Sequence, residues 1–253
     1  MAICQYFYYT KMILYTNGCS HVAGAEALNT YCFAEDDSKY FYLRRKPHPE
    51  NLAVSFSAIL ANLLQARLYC DAESAASNDR IVRTTQEFLK GNYRKQVKEE
   101  VFVLIGWTTW EREEWLHEGE YYQVNSSGLD ALPEPLQLRY KQWIVENATN
   151  WQQHQQKWHQ KIWDLHCELD EQNVKHLFFN SHIAFSLIND QKDWGNNYVD
   201  PYSESQSFFN LLNTKGFKVR PSVAAEAGGG HYLADGHQAW AHHLLPHLTK
   251  ALS

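Results

Sequence analysis

The chain has 253 residues, and 23 basic against 29 acidic side chains leave a formal charge of −6 with histidines neutral. Hydrophobic residues make up 44% and charged residues 21%, which excludes a disordered chain, and the mild acidity gives no electrostatic case for nucleic acid or an anionic membrane as partner. No apolar run approaches the roughly 20 residues that cross a bilayer; the five cysteines (Cys4, Cys19, Cys32, Cys70, Cys167) form no Cys-x-x-Cys pair, so no zinc knuckle or disulfide framework is indicated and a reducing cytoplasm is the expected location.

Residues 1–11 lack the basic start, apolar core and cleavage site of a secretory signal, and read as an extension ahead of a single domain over 12–253. An added edge strand through Tyr6, Phe7, Tyr8 and Tyr9 is the alternative. Met12 to Thr16 is a short apolar strand that ends at the turn Asn17-Gly18. Residues 52–66 place apolar groups at helical spacing, and Arg67 to Cys70 reads as a second strand. Ser77 or Asn78 caps a helix in which Ile81, Val82, Phe88 and Leu89 share a side. Val101 to Ile105, five apolar residues ending at Gly106, is a central strand buried on both faces.

From about 136 to 172, Trp143, Trp151, Trp158 and Trp163 recur at one to two helical turns. This reads as one long helix or a helix pair whose aromatic face serves the core or a homo-oligomer contact. Lys175 to Phe179 is a fourth strand, Ser203 to Leu212 a helix, Phe217 to Val219 a short fifth strand, and residues 234–251 a closing helix. The alternation predicts an α/β protein: three layers, α/β/α, with a flavodoxin-like doubly wound sheet of about five parallel strands. The long irregular stretches 22–51 and 107–135 follow the first and third strands, and so fall on the carboxyl edge of the sheet, where such folds place their sites.

Four segments at that edge carry chemistry-bearing residues. Gly18-Cys19-Ser20-His21 follows the first strand, a sharp turn that lifts a hydroxyl to the edge among free backbone N–H groups. Ala75 to Ile81, with Asn78, follows the second strand, and Gly106-Trp107-Thr108-Thr109 the third. Gly228-Gly229-Gly230-His231 precedes the last helix.

In this order the four segments resemble the blocks of the SGNH, or GDSL-type, hydrolase superfamily, over most of residues 12–251. Their wording (GCSH, SNDRI, IGWT, GGGH) is similar to an SGNH-like subgroup found in phages and marine bacteria. The resemblance implies a serine esterase or acyltransferase with Ser20 as nucleophile and His231 as base. It also implies an oxyanion hole from the N–H groups of Ser20 and Ala75 with a polar group at Asn78 or Thr108. The implied substrate is an O-acyl ester on a carbohydrate or small molecule, with no cofactor and no metal.

Departures from the family pattern are specific. Cys19 stands for an acidic residue, Ala75 for the second-block glycine and Thr108 for the third-block asparagine. The aspartate two or three residues before the histidine is replaced by Gly228 and Gly229, which implies a Ser–His dyad or a substitute acid, with Glu226 and Asp235 as candidates. A rival register pairs Asp235 with His237. Read blandly, Ser20 is a helix cap, Asn78 and Asp79 cap the next helix, and the chain is a binding or structural module on a decayed site. His21, Trp107 and Trp110 are candidates for lining the substrate cleft, with Arg112 and Glu114 between the tryptophans of that stretch.

Overall fold

A computed structural model describes residues 12–34, 46–91, 100–126, 129, 132–147, 150–221 and 230–253; the segment 1–11 and Glu226 lie outside them. The sheet is built by β1 (Met12–Gly18), β2 (Arg67–Cys70), β3 (Glu100–Trp107) and a later strand, β6 (Lys175–Asn180), all parallel, in the order β2-β1-β3-β6. Alternation within the apolar runs sends side chains to both faces. Leu14, Phe102, Leu104, Leu177 and Phe179 enter one core with helices α3 (Phe56–Leu63), α7 (Phe208–Thr214) and α8 (Ala234–Leu252). Ile13, Tyr15, Val101, Val103, Ile105 and Phe178 enter the other with α4 (Asn78–Lys90) and α6 (Trp151–Glu171). This is the expected three-layer α/β/α arrangement, with a four-stranded sheet.

Phe217 to Val219 does not form a fifth strand: Val219 makes one isolated antiparallel bridge, to Tyr232. That bridge ties the segment to the entrance of α8, with the Arg220 amide donating to the His231 carbonyl at 2.7 Å. The tryptophan-rich stretch is a helix pair, α5 (Glu134–Asn147) and α6. Between β3 and α5 stands an antiparallel hairpin, β4 (Glu113–His117) with β5 (Glu120–Val124), that builds a satellite core of Trp115, Val124, Leu136, Tyr140 and Trp143.

Two glycines set the turn that carries Ser20. Gly18 and Gly106 face each other across β1 and β3, and Val22 of the short helix α1 (Ser20–Ala23) fills the space they leave. A Cβ at Gly18 would stand 2.3 Å from Val22 Cγ2, and one at Gly106 would stand 2.6 Å from the same atom. Only paired glycines let α1 close down on the sheet this tightly.

Candidate active site

Ser20 opens α1 at the carboxyl end of β1 and is 9% exposed. It is not the helix cap: Cys19 holds that position with no side-chain cap bond. The chain then turns back, the Ala25 amide donating to the Ser20 carbonyl at 2.9 Å, which delivers Glu26 to the same corner. Glu26 adopts φ +59°, a left-handed conformation that costs a non-glycine residue on the order of 1–3 kcal/mol. The Arg220 Nε donating to its carbonyl at 2.6 Å holds it there.

His231 meets Glu26. Its Nδ1 stands 2.5 Å from Glu26 Oε2, with the two side chains 19% and 18% exposed. The bond to His231 holds the Glu26 carboxyl below the usual carboxylate range against its own desolvation, with the charges of His231 and Arg220 assisting. A carboxylate accepts only, so Nδ1 carries the proton, and in the neutral ring Nε2 is then the nitrogen with the free lone pair. The ring of His231 lies 5.2 Å, centroid to centroid, from that of His21, the neighbour of Ser20.

Among the described residues the acid on the histidine comes from the loop after β1, and Asp235 does not fill that place. Asp235 is occupied within the first turn of α8, its Oδ1 accepting from the Gly236 amide at 2.9 Å, and Glu226 falls outside the described residues. His237, the rival base, is buried against Phe56, whose amide lies 3.4 Å from its Nδ1, and burial pushes it down to about 3. Nothing in the local pattern flags Glu26, which is 205 positions from its partner.

Ala75 adopts φ +66°, a left-handed conformation that favours glycine, and neither its amide nor that of Ser20 donates to a backbone carbonyl among the described residues. Asn78 is tied to Thr108, its Nδ2 spending one of two donors on the Thr108 carbonyl at 3.3 Å and its Oδ1 accepting from the Thr108 amide at 3.0 Å. Thr108 is thereby pinned, and its own Oγ1 is buried without a partner. Trp107 and Trp110 do not line a cleft. Trp107 packs edge-on against Phe178, Trp110 stacks on Phe185 at 4.5 Å, and both are 1% exposed or less because the α6-side core takes them in. His21 is also buried, and desolvation first, then the charges of His182, His231, His237 and Arg112, drives its pKa well down.

Glu26, Cys32 and His231 offer three ligand atoms within 4.8 Å of one another. Burial first, then the charge of Glu26, pushes the Cys32 thiol up to about 11.

The fold defines a three-layer α/β/α protein at whose carboxyl edge a carboxylate-bound histidine, His231, stands against His21, the neighbour of the turn serine. The chain belongs to a family of unknown function, DUF6071, whose model matches residues 44–252. No curated protein matches the sequence. Among solved structures it is similar to a carbohydrate esterase whose active site displays divergent catalytic and non-catalytic binding functions, at 14% identity and TM-score 0.39, over 95% of this chain and 69% of that one. It is also similar to an acetyl xylan esterase from the rumen bacterium Butyrivibrio proteoclasticus, at 13% identity and TM-score 0.39, over 96% of this chain and 65% of that one. The chain thus spans about two thirds of the length of these structures. No helix among the described residues is long and apolar enough to cross a membrane.

Proposed function

We propose that the protein is a serine esterase of SGNH type, acting on an O-acyl ester of a carbohydrate or small molecule. The observation that carries this reading is the 2.5 Å contact of His231 Nδ1 with Glu26, beside the turn of Ser20. A serine hydroxyl is a weak nucleophile until a base takes its proton, and a neutral imidazole with Nδ1–H fixed on a carboxylate is such a base.

Ser20 Oγ attacks the ester carbonyl carbon while its proton passes to His231 Nε2. The carbonyl π pair moves onto oxygen, and the amides of Ser20 and Ala75 with the Thr108 hydroxyl stabilise that oxyanion; one such donor is typically worth about 3–4 kcal/mol. The intermediate collapses, the C–O bond to the alcohol breaks, and the alcohol leaves with the proton from His231. Water, or a bound alcohol in a transferase, then gives a proton to His231 and attacks the acyl-Ser20 carbonyl, and Ser20 leaves as its hydroxyl. Glu26 stabilises the imidazolium in both halves.

Ser20→Ala is expected to abolish turnover of short-chain nitrophenyl esters with the thermal unfolding profile retained. Undiminished turnover in that variant rejects Ser20. A folded wild-type protein inert to these esters and to acylated sugars points instead to a binding module on the same scaffold.

A further inference from the structure

The segment after α1 brings a third donor to the Glu26–His231 pair. The Glu26 amide donates to the Tyr31 carbonyl at 3.3 Å, which folds residues 26–31 back on themselves. Asn51, fully buried, holds that loop from within. Its Oδ1 accepts from the Leu28 and Asn29 amides at 2.8 and 2.9 Å, and its Nδ2 donates to the Tyr31 carbonyl at 2.6 Å. Cys32, the next residue, is thereby delivered to the same corner. Glu26, Cys32 and His231 present a carboxylate oxygen, a sulfur and a ring nitrogen, all within 4.8 Å of one another. The ester mechanism leaves the thiol without a role.

Thiolate sulfur, imidazole nitrogen and carboxylate oxygen are together a donor set of Zn2+, which in a site of three protein ligands keeps a fourth position for water. All three residues are part-exposed, so an ion reaches them from solvent. The His166–Asp170–His176 cluster lacks these features: it has no sulfur, and its two rings are 5% and 1% exposed and bonded to each other at 2.8 Å. We propose that Glu26, Cys32 and His231 bind Zn2+, and that the bound ion switches the esterase off.

The ion takes the place of the proton between Glu26 and His231. Zinc bonds of about 2.0–2.3 Å set neighbouring tetrahedral ligands about 3.3–3.6 Å apart, so the 2.5 Å contact of His231 Nδ1 with Glu26 opens to admit it. Nδ1 loses its proton to water and ligates, while Nε2 takes one up. The nitrogen that has to receive the Ser20 proton is then filled. Coordination itself ionises the Cys32 thiol, whose proton leaves to solvent. The effect on turnover rests on the esterase reading; the ion site does not.

Zn2+ added to chelator-stripped protein tests the switch. It is expected to stop hydrolysis of 4-nitrophenyl acetate, and EDTA to restore it. Cys32→Ser keeps the Glu26–His231 pair and is expected to raise the half-inhibiting Zn2+ concentration by about tenfold or more, since even a lost outer-shell partner costs 10–100-fold in metal affinity. Cys32→Ala, with no donor at all, is expected to raise it at least as far. Each variant is read against its own zinc-free rate. No inhibition of an active wild type, activation by Zn2+, or inhibition unchanged in both variants overturns the switch.

A cobalt titration separates this from failure of the esterase reading, because it needs no turnover. Co2+ added to the wild type is expected to develop the near-ultraviolet charge-transfer band of a thiolate–Co2+ bond, displaced by excess Zn2+ and lost in Cys32→Ser and Cys32→Ala. In Glu26→Gln the band is expected to need about tenfold more Co2+ or above. That pattern sustains the ion site even if no ester is cleaved. A titration without the band, or a band that persists without Cys32, overturns it.

Discussion

Two histidine–carboxylate groups stand at opposite ends of the sheet, and their wiring differs. At the carboxyl edge, Glu26 Oε2 accepts the hydrogen bond of His231 Nδ1–H directly, at 2.5 Å. At the amino edge, His176 Nδ1 donates to the Val174 carbonyl at 2.9 Å, so its Nε2 is an acceptor and receives the Nδ1–H of His166 at 2.8 Å. Asp170, 55% exposed, stands off at 3.6 Å from His166 and 4.0 Å from His176. Burial lowers both rings, His176 to about 4. A nearby carboxylate makes a histidine a base only when it binds one nitrogen and leaves the other facing a reacting group. At the amino edge the rings satisfy each other, which is a way to bury two imidazoles rather than to move a proton.

The sharpest break of this contrast is Glu26→Gln. It keeps the shape, loses the charge and favours the wrong tautomer, so kcat should fall by about 10³–10⁴-fold, as in serine proteases that lose their aspartate. Asp170→Asn should leave ester turnover as it was. Equal effects of the two in a steady-state assay would erase the distinction.

Acid is the next largest lever. His176 and His237 are neutral in the fold down to about 4 and about 3, while an unfolded histidine takes its proton near 6.5. Between those values the unfolded chain binds more protons, so stability falls as pH drops from about 6.5, by up to about 1.4 kcal/mol per unit for each ring. Urea midpoints measured from pH 7 to pH 4 should decline, and a flat profile would contradict the burial of these rings.

Substitution at the β1–β3 seam tests how Ser20 is positioned. In Gly106→Ala the new Cβ would meet Phe179 Cζ at 2.5 Å and Val22 Cγ2 at 2.6 Å. A loss of about 1–3 kcal/mol is expected in urea unfolding, typical of overpacking. The smallest effect is a gain. Ala75→Gly relieves the φ of +66° and should add roughly 1 kcal/mol or less in the same assay, with activity retained.

Much of the fold was readable because its signals are local. The buried strands announce themselves as apolar runs such as Val101 to Ile105, and the helix after β2 by Ser77, whose side chain accepts from the Arg80 amide. The β4–β5 hairpin was not read, because Glu113, Glu114 and Glu120 mask the alternation around the buried Trp115 and Gln123. Phe217 to Val219 misleads because three strand-like residues bridging through only one of them pass for a strand. Within the site, Ser20, Ala75 and His231 stand at strand ends or helix entrances, where short blocks mark them. Glu26 lies in an irregular segment and meets a partner 205 positions away, so only the folded chain reveals it.

Fluorophosphonate labelling mapped by mass spectrometry tests the central claim most directly, because the probe forms its P–O bond only with a serine whose proton a base removes. The account predicts one adduct, on Ser20, formed far more slowly in Glu26→Gln and absent in His231→Ala. A folded protein that takes no label, or takes it at another residue, would contradict it.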